Sequence, residues 1–384
     1  MTKGLFIHDH KFPKGNNSYF FSNGFDAEFF SRYKNIFSQL SIIGRETECD
    51  ANYKQTYNHV VVDTDFFTIK SYKKLFKKSV RKNVERNIYD ADALIIRLPS
   101  ILGLYSIYLA NKIKKPYVIE LVGCPWGAYW NMGLSKKMIA PMMKYFTQKA
   151  IYNSKYTVYV TEKYLQKKYP TKGKSIACSN VTLNEVNEEA LKHRLEKISN
   201  FDLNKKIVLG TIGPLDSIYK GQHYVIEAIG KLKNDGFTIE YHLVGGGNNE
   251  FLKKIANKNA VGNQVIFHGK LEHDEIFKWL RDIDIYIQPS DTEGLPRSVI
   301  EAMSVACPVI GSNAGGIPEL INSSAIFDKG NIDQICYLIK NISKDKMRNE
   351  ATHNFQKSKE YRKKVLYKRR EDFFELFIEH EVGV

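Results

Sequence analysis

The chain has 384 residues, 43% of them apolar and 26% charged, with a formal net charge of +15. That length exceeds one comfortable core and implies two domains of similar size, and the apolar content excludes a disordered chain. Five scattered cysteines, odd in number and without a CxxC pair, fit a reducing cytoplasm and argue against a disulfide scaffold or zinc module.

In chain order, the first predicted strand covers 4–9, with His8 and His10 expected at or beyond its end, facing a cleft; its apolar run is too short for a secretory leader. Strands follow at 40–43, 59–64, 93–98, 117–123, 157–161 and 175–179. A second series covers 206–213, 239–247, 264–269, 283–290 and 307–312. Most are continuous apolar runs, which suits parallel strands buried on both faces, and helical stretches separate most of them. Repeated βα units of this size predict two doubly wound, Rossmann-like sheets with a cleft between them. Strand logic restarts after a charged helix, which puts the boundary near Leu203 and the domains at 1–203 and 204–360. A long amphipathic helix over 361–384 closes the chain and in the plain reading caps the second domain.

Positive charge clusters in "KSYKKLFKKSVRKNVER" at 70–86. The stretch predicts one helix carrying Lys70, Lys73, Lys74, Lys77, Lys78, Arg81, Lys82 and Arg86, with Leu75, Phe76 and Val80 among them. A surface helix at an anionic bilayer needs that mixture. The stretch 134–155, "LSKKMIAPMMKYFTQKAIYNSK", combines Met, Ile and Phe with Lys in the same way. No nucleic-acid module is recognisable, so a membrane surface or an anionic substrate ranks ahead of nucleic acid. The most apolar helical candidate, 98–110, would be roughly 20 Å long, short of a ~30 Å hydrocarbon core.

The most informative stretch is "DTEGLPRSVIEAMSVACPVIGSNAGGIPELI", Asp291 to Ile321. Pro296 fits the first turn of a helix, and Gly294 lets backbone approach a ligand. The free N–H groups and dipole of that helix suit a diphosphate. Glu293 precedes the helix and Glu301 lies about 7.5 Å further along its axis. Carboxylates there are poor phosphate ligands but good acceptors for sugar or ribose hydroxyls. Gly213 ends the strand at 206–213, and Lys220 follows it just before an apolar helix, placed to meet a phosphate. Gly245, Gly246 and Gly247 end the next strand in an arrangement that does not specify a nicotinamide site.

"EGLPRSVIEAM" with its Glu293-x7-Glu301 spacing, "PVIGSNAGGIPELI", "KGQHYVIEAI" and "IDIYIQPS" together resemble glycosyltransferase family 4, retaining sugar-nucleotide enzymes of the GT-B fold. The resemblance is strong over Ile207–Ile321. It is looser in the first half, where "KGLFIHDHKFPKG", "YVIELVGCPWGAYW", "VYVTEKYLQKKYP" and "CSNVT" fall in the family's order. It implies a nucleoside-diphosphate-sugar donor, UDP-linked by preference, bound mainly by the second domain. Glu301 would hold the ribose, and Glu293 with the backbone at Gly294, Leu295 and Pro296 would address sugar and diphosphate. Lys220 would neutralise the diphosphate with help from Arg297. Gly213 would line the donor site, and Gly269, Lys270 and Leu271 would meet the base. The loop Phe12 to Asn17, with Lys14, Gly15 and Asn16, would serve the acceptor, as would Gly123. The terminal helix would cross back to the first domain. Two positions depart from the family: Pro214 stands where an Arg is frequent and Val122 where a His is. Lys220 and Arg297 therefore carry more of the phosphate charge, and no first-domain catalytic residue is transferred.

The expected reaction moves a hexose or N-acetylhexosamine to a glycan or polyprenyl-diphosphate-linked acceptor in surface polysaccharide biosynthesis, without cofactor or metal. The expected setting is cytoplasmic, at the inner face of the cell membrane. Two Asp-x-Asp triplets, Asp63-Thr64-Asp65 and Asp282-Ile283-Asp284, are frequent by chance and are not assigned to a metal. Two other readings stay open: a sugar-nucleotide epimerase or phosphorylase of the same fold, and a basic membrane- or nucleic-acid-binding protein without catalysis.

Overall fold

The computed structural model describes residues 2–15, 18–20, 24–49, 65–130, 137–202 and 205–383. The strand expected at 59–64, with Asp63, and the acceptor residue Asn16 lie outside them. The chain forms two compact units, Met1–Cys178 with Tyr367–Val384, and Ser179–Leu366.

In the first unit the strands are β1 (Lys3–Gly15), β2 (Ser18–Tyr19), β3 (Gln39–Glu48), β4 (Asp65–Ile69), β5 (Ala93–Leu98), β6 (Tyr117–Leu121), β7 (Tyr156–Tyr159) and β8 (Lys174–Ala177). The helices are α1 (Ala27–Lys34), α2 (Lys78–Asp90), α3 (Ile101–Ile113), α4 (Pro125–Trp130), α5 (Ala140–Tyr152) and α6 (Tyr164–Lys168). The sheet order is β4-β3-β1-β5-β6-β7-β8, all parallel except the short β2, which pairs antiparallel with β1. Alternation sorts β1 between two cores. Leu5 and Ile7 join Leu94, Ile96, Ile119, Leu121 and the α3 residues Leu102 and Ile107. Phe6 turns the other way, edge-on to Phe29 and Phe30 of α1.

The second unit has α7 (Glu188–Ser199), β9 (Ile207–Ile212), α8 (Gln222–Asn234), β10 (Ile239–Val244), α9 (Glu250–Lys258), β11 (Val265–Gly269), α10 (His273–Asp282) and β12 (Ile285–Gln288). It continues with α11 (Arg297–Ser304), β13 (Val309–Ser312), β14 (Ile326–Phe327), α12 (Ile332–Lys340) and α13 (Lys344–Ser358), and the chain ends in α14 (Lys363–Glu381), of which only the residues up to Leu366 belong to this unit. Its six strands are parallel in the order β11-β10-β9-β12-β13-β14. Leu209, Tyr241, Leu243, Ile285 and Ile287 fill the sheet's core.

Four expectations need correction. The division falls at Cys178, well before Leu203, because α7 belongs to the second unit: Arg194 donates to the carbonyls of Ile283 and Leu280, both at 2.7 Å, and Ile198 enters that core. From Tyr367 onward α14 belongs to the first unit, the side on which the resemblance put it, so the plain reading of a cap on the second unit is the one that fails. Phe373, Phe374 and Phe377 are buried there, and Arg370 Nε lies 3.5 Å from Glu120 Oε1. The basic stretch 70–86 is not one helix. A 3-10 turn over Tyr72–Phe76 ends at Lys77, whose ψ of 126° is extended, and α2 starts after it. Leu75 and Val80 pack on the core while Phe76 is 84% exposed. Finally, residues 12–15, expected in a loop, are strand. β1 continues to Gly15 through a register shift between Ile7 and Lys11, so His8 and His10 lie within the strand rather than beyond it.

Candidate functional site

Parallel sheets present their ligand crevice at the carboxyl ends of the strands. In the second unit those ends converge. Gly213 N donates to Val244 O at 2.9 Å, Leu215 N to Gly246 O at 2.9 Å, and Gly245 N to Gly269 O at 2.8 Å. The stem of Lys270 lies over Gly246, and Leu271 follows half-buried.

Lys220 ends a 3-10 turn, Ile218–Lys220, and Gly221 turns the chain into α8 with φ +72°. A Cβ at Gly221 would stand 2.0 Å from Pro289 O, so only glycine lets this turn press against the segment after β12. That approach sets Lys220 Nζ 2.7 Å from Glu293 Oε1. The same oxygen accepts from Ser290 Oγ at 2.7 Å and Gln288 Nε2 at 3.1 Å. Gln288 is itself fixed, its Oε1 accepting from Tyr286 OH at 2.7 Å and Ser298 Oγ at 3.1 Å. Gly315, at φ +57°, holds the loop from the other side: a Cβ there would meet Glu293 O at 2.1 Å, and Gly316 N donates to Gly294 O at 2.7 Å.

Glu293, Gly294, Leu295 and Pro296 thus form a clamped loop that feeds α11. Pro296 is the residue capping α11 rather than its first turn, and the helix begins at Arg297. Glu301, one turn in, is only 5% exposed. Burial raises its pKa above the usual carboxylate range, opposed by Arg297 and His273. Among the described residues its ion-pair partner is Arg297, at 4.0 Å. A desolvated carboxylate with so little compensation is suited to accept hydroxyl donors from a ligand.

The structure therefore brings together Lys220, Glu293, Gly294, Leu295, Pro296, Arg297 and Glu301, with Gly213, Gly269 and Lys270 on neighbouring strand ends. One expectation changes. Lys220 is not a spare cation, because Glu293 already neutralises it. Gln288, Ser290, Tyr286 and Ser298 were missed; the polar Gln and Ser closing an apolar strand in "IDIYIQPS" were the available signal. Asp284 of the second Asp-x-Asp is built into the fold, accepting from Val208 N at 2.9 Å and pairing with Lys197 at 3.0 Å.

In the first unit the described acceptor-side residues, Lys14, Gly15 and Gly123, do not form a comparable cluster. Lys14 pairs with Glu46 at 3.3 Å, and a side chain at Gly15 would meet Phe20 and Cys49. Gly123 follows β6 in open space. The unexpected feature there is Asp9, which accepts from Ile101 N at 2.6 Å and Leu102 N at 3.0 Å at the start of α3. Burial raises its pKa despite those donors. His8 is held neutral, its pKa pushed well below the usual value by burial and then by Arg97.

A family model described as "Glycosyl transferases group 1" matches residues 192–361. Protein CapJ of Staphylococcus aureus is 35% identical over 344 residues, an alignment spanning 87% of this chain and 85% of that protein. The amylovoran biosynthesis glycosyltransferase AmsK of Erwinia amylovora is 38% identical over 109 residues, 27% of each protein. Among solved structures, Anabaena HepE in complex with UDP matches with a TM-score of 0.70 at 14% identity, covering 98% of this chain and 100% of that one. At that identity the likeness shows the fold alone, which is GT-B.

Proposed function

The chain belongs to the glycosyl transferases group 1, and we propose that it is a retaining, metal-independent hexosyltransferase. It moves a hexose or N-acetylhexosamine from a UDP-sugar to a glycan or polyprenyl-diphosphate-linked acceptor in surface polysaccharide synthesis. The observation that carries the donor assignment is Glu301, a buried and nearly uncompensated carboxylate on the helix that follows the clamped Glu293 loop. Its two oxygens suit the vicinal hydroxyls of a ribose. The first N–H groups of α11 and its dipole favour the diphosphate. The UDP bound by HepE and the polysaccharide named for AmsK support UDP and glycan as ligand classes.

In this reading the anomeric carbon–phosphate oxygen bond breaks while the acceptor hydroxyl attacks from the same face. The departing phosphate oxygen takes the hydroxyl proton, so no protein nucleophile is needed. Charge grows on the diphosphate, where Lys220, Arg297 and the α11 amides stabilise it most in the transition state. Ser290 and Gln288 keep Glu293 in place as Lys220 turns toward phosphate. The missing Arg at Pro214 leaves this charge to fewer cations.

The test is thermal stability with UDP, GDP, ADP, NAD or buffer, each with and without EDTA, on wild type and Glu301→Ala. UDP at about a hundredfold its Kd stabilises by about 2.7 kcal/mol. The expected shift is specific to UDP, insensitive to EDTA and absent in the variant. A shift with NAD alone, or with none of the ligands, overturns the reading.

A further inference from the structure

Apart from the donor and acceptor residues, the first unit carries an open groove of about 490 Å³ between α3 and α5. Leu104, Tyr105 and Tyr108 form one wall, and Met142, Met143 and Phe146 the other. Met143 is buried, but the mouth is not: Tyr108 is 64%, Met142 50% and Phe146 47% exposed. Met142 and Phe146 are one turn apart, as are Tyr105 and Tyr108, so the exposed apolar surface is a stripe rather than scattered residues. Tyr145, on α5, and Met138, just before it, are exposed as well.

The charge around it is positive. Lys149 lines the groove, and Lys144 and Lys137 lie over the rings of Trp126 and Trp130, at 5.7 and 5.3 Å. Beside Tyr105, α2 contributes both Glu85 and Arg81, the acid acting the more strongly. The groove shares Asn111 and Asn153 with a second cavity of about 300 Å³ that holds Lys114, Lys115 and Lys155. Lys155 is committed to Glu381 and Lys115 to backbone carbonyls. Lys114 and Lys149 have no ion-pair partner among the described residues.

An apolar slot opening on uncompensated lysines matches an amphiphile, with hydrocarbon in the slot and an anionic head at the rim. A free anion would leave the aromatic stripe uncovered, and a purely apolar partner would strip water from the lysines without compensation. The geometry points to this groove as the binding site for one acyl chain of an anionic bilayer lipid, docking the first unit on a membrane through α3 and α5. The lysine cavity adjoins the starts of β6 and β7, the end of the sheet opposite Gly15 and Gly123, so the assigned acceptor residues stay free. This site is independent of the donor assignment.

The test is cosedimentation with vesicles of phosphatidylcholine alone or mixed with phosphatidylglycerol, at low and high salt. The variants are the triple Tyr108→Ser/Met142→Ser/Phe146→Ser and the double Lys114→Glu/Lys149→Glu, with circular dichroism melting to establish that each folds. Wild type binds the anionic vesicles; the triple variant loses about tenfold or more at every salt concentration. The double variant loses the salt-sensitive part. Absence of binding, equal binding to both compositions, or full binding by the triple variant overturns the proposal. So does a vesicle-free dimer in ultracentrifugation that only the triple variant abolishes, which would assign the groove to a second copy.

Discussion

Glu301 carries opposed consequences for stability and for binding. Its folded pKa lies above the unfolded one, so the folded state holds the proton more tightly. Stability then falls as pH rises from the unfolded value to the folded one, and the loss is complete above it. Glu301→Gln removes that ionisation. The variant is expected to gain in urea midpoint over wild type at about pH 8 and to lose the advantage near pH 4. The same variant should bind UDP about thirtyfold more weakly, near 2 kcal/mol, because hydroxyl bonds to a charged acceptor are lost. Wild-type UDP affinity, titrated calorimetrically, should also drop as Glu301 is protonated, a component missing from the glutamine variant. Lys220 gives a separate expectation. Lys220→Met leaves Glu293 poorly compensated and should cost about 3 kcal/mol, part of which Lys220→Met/Glu293→Gln restores. A double-mutant cycle in urea measures that coupling, and UDP affinity stays low in both variants.

At the scale of elements, the clearest strands were those buried on both faces. "ALIIRL" was read with the observed limits of β5, because an uninterrupted apolar run allows little else. β1 was truncated because His8, Asp9 and His10 break its apolar pattern; the structure accommodates them in a register shift, with Asp9 satisfied at the start of α3. No local pattern announces that pairing, which depends on a residue 92 positions away. The break at Lys77 was equally hidden, since neither Gly nor Pro marks it. For the terminal helix, periodicity gave the segment but not its host. Its docking rests on Glu120, which accepts from Tyr33 OH at 2.9 Å and faces Arg370 and Arg97, at 3.5 and 3.9 Å. Glu120→Gln removes the carboxylate these buried guanidiniums face, and is expected to destabilise by about 3 to 5 kcal/mol in chemical denaturation. An effect below 1 kcal/mol would mean that aromatic packing and the other polar contacts of the helix, such as Lys155 with Glu381, hold it without this carboxylate.

For the whole molecule, the candidate site of the second unit was legible because its loop, helix and two glutamates come from one contiguous stretch, and the rest of the site from strand ends next to it. The first unit offers no equivalent. Its polar groups come from β1, β5, β6 and α3, and single-sequence spacing does not connect them. Hydrogen exchange should reflect the same asymmetry. UDP is expected to protect amides at 213–221, 269–271 and 294–301, and to leave those of β5 and β6 unchanged. Protection confined to the first unit would move the nucleotide site there.

The glycines around the site differ in how much change they permit, and this bears on engineering donor choice. At Gly221 and Gly315 the first added carbon already overlaps a carbonyl, so a library randomised there returns inactive clones whatever chemistry is introduced. Gly213 is different. The atoms nearest to a methyl there would be the stem of Lys220 and the amide of Gln222, at 3.6 to 3.7 Å, in ordinary contact. Gly213 thus admits a methyl against the lysine without disturbing the backbone, and under the proposed donor assignment selections for altered sugar preference would do best to begin there.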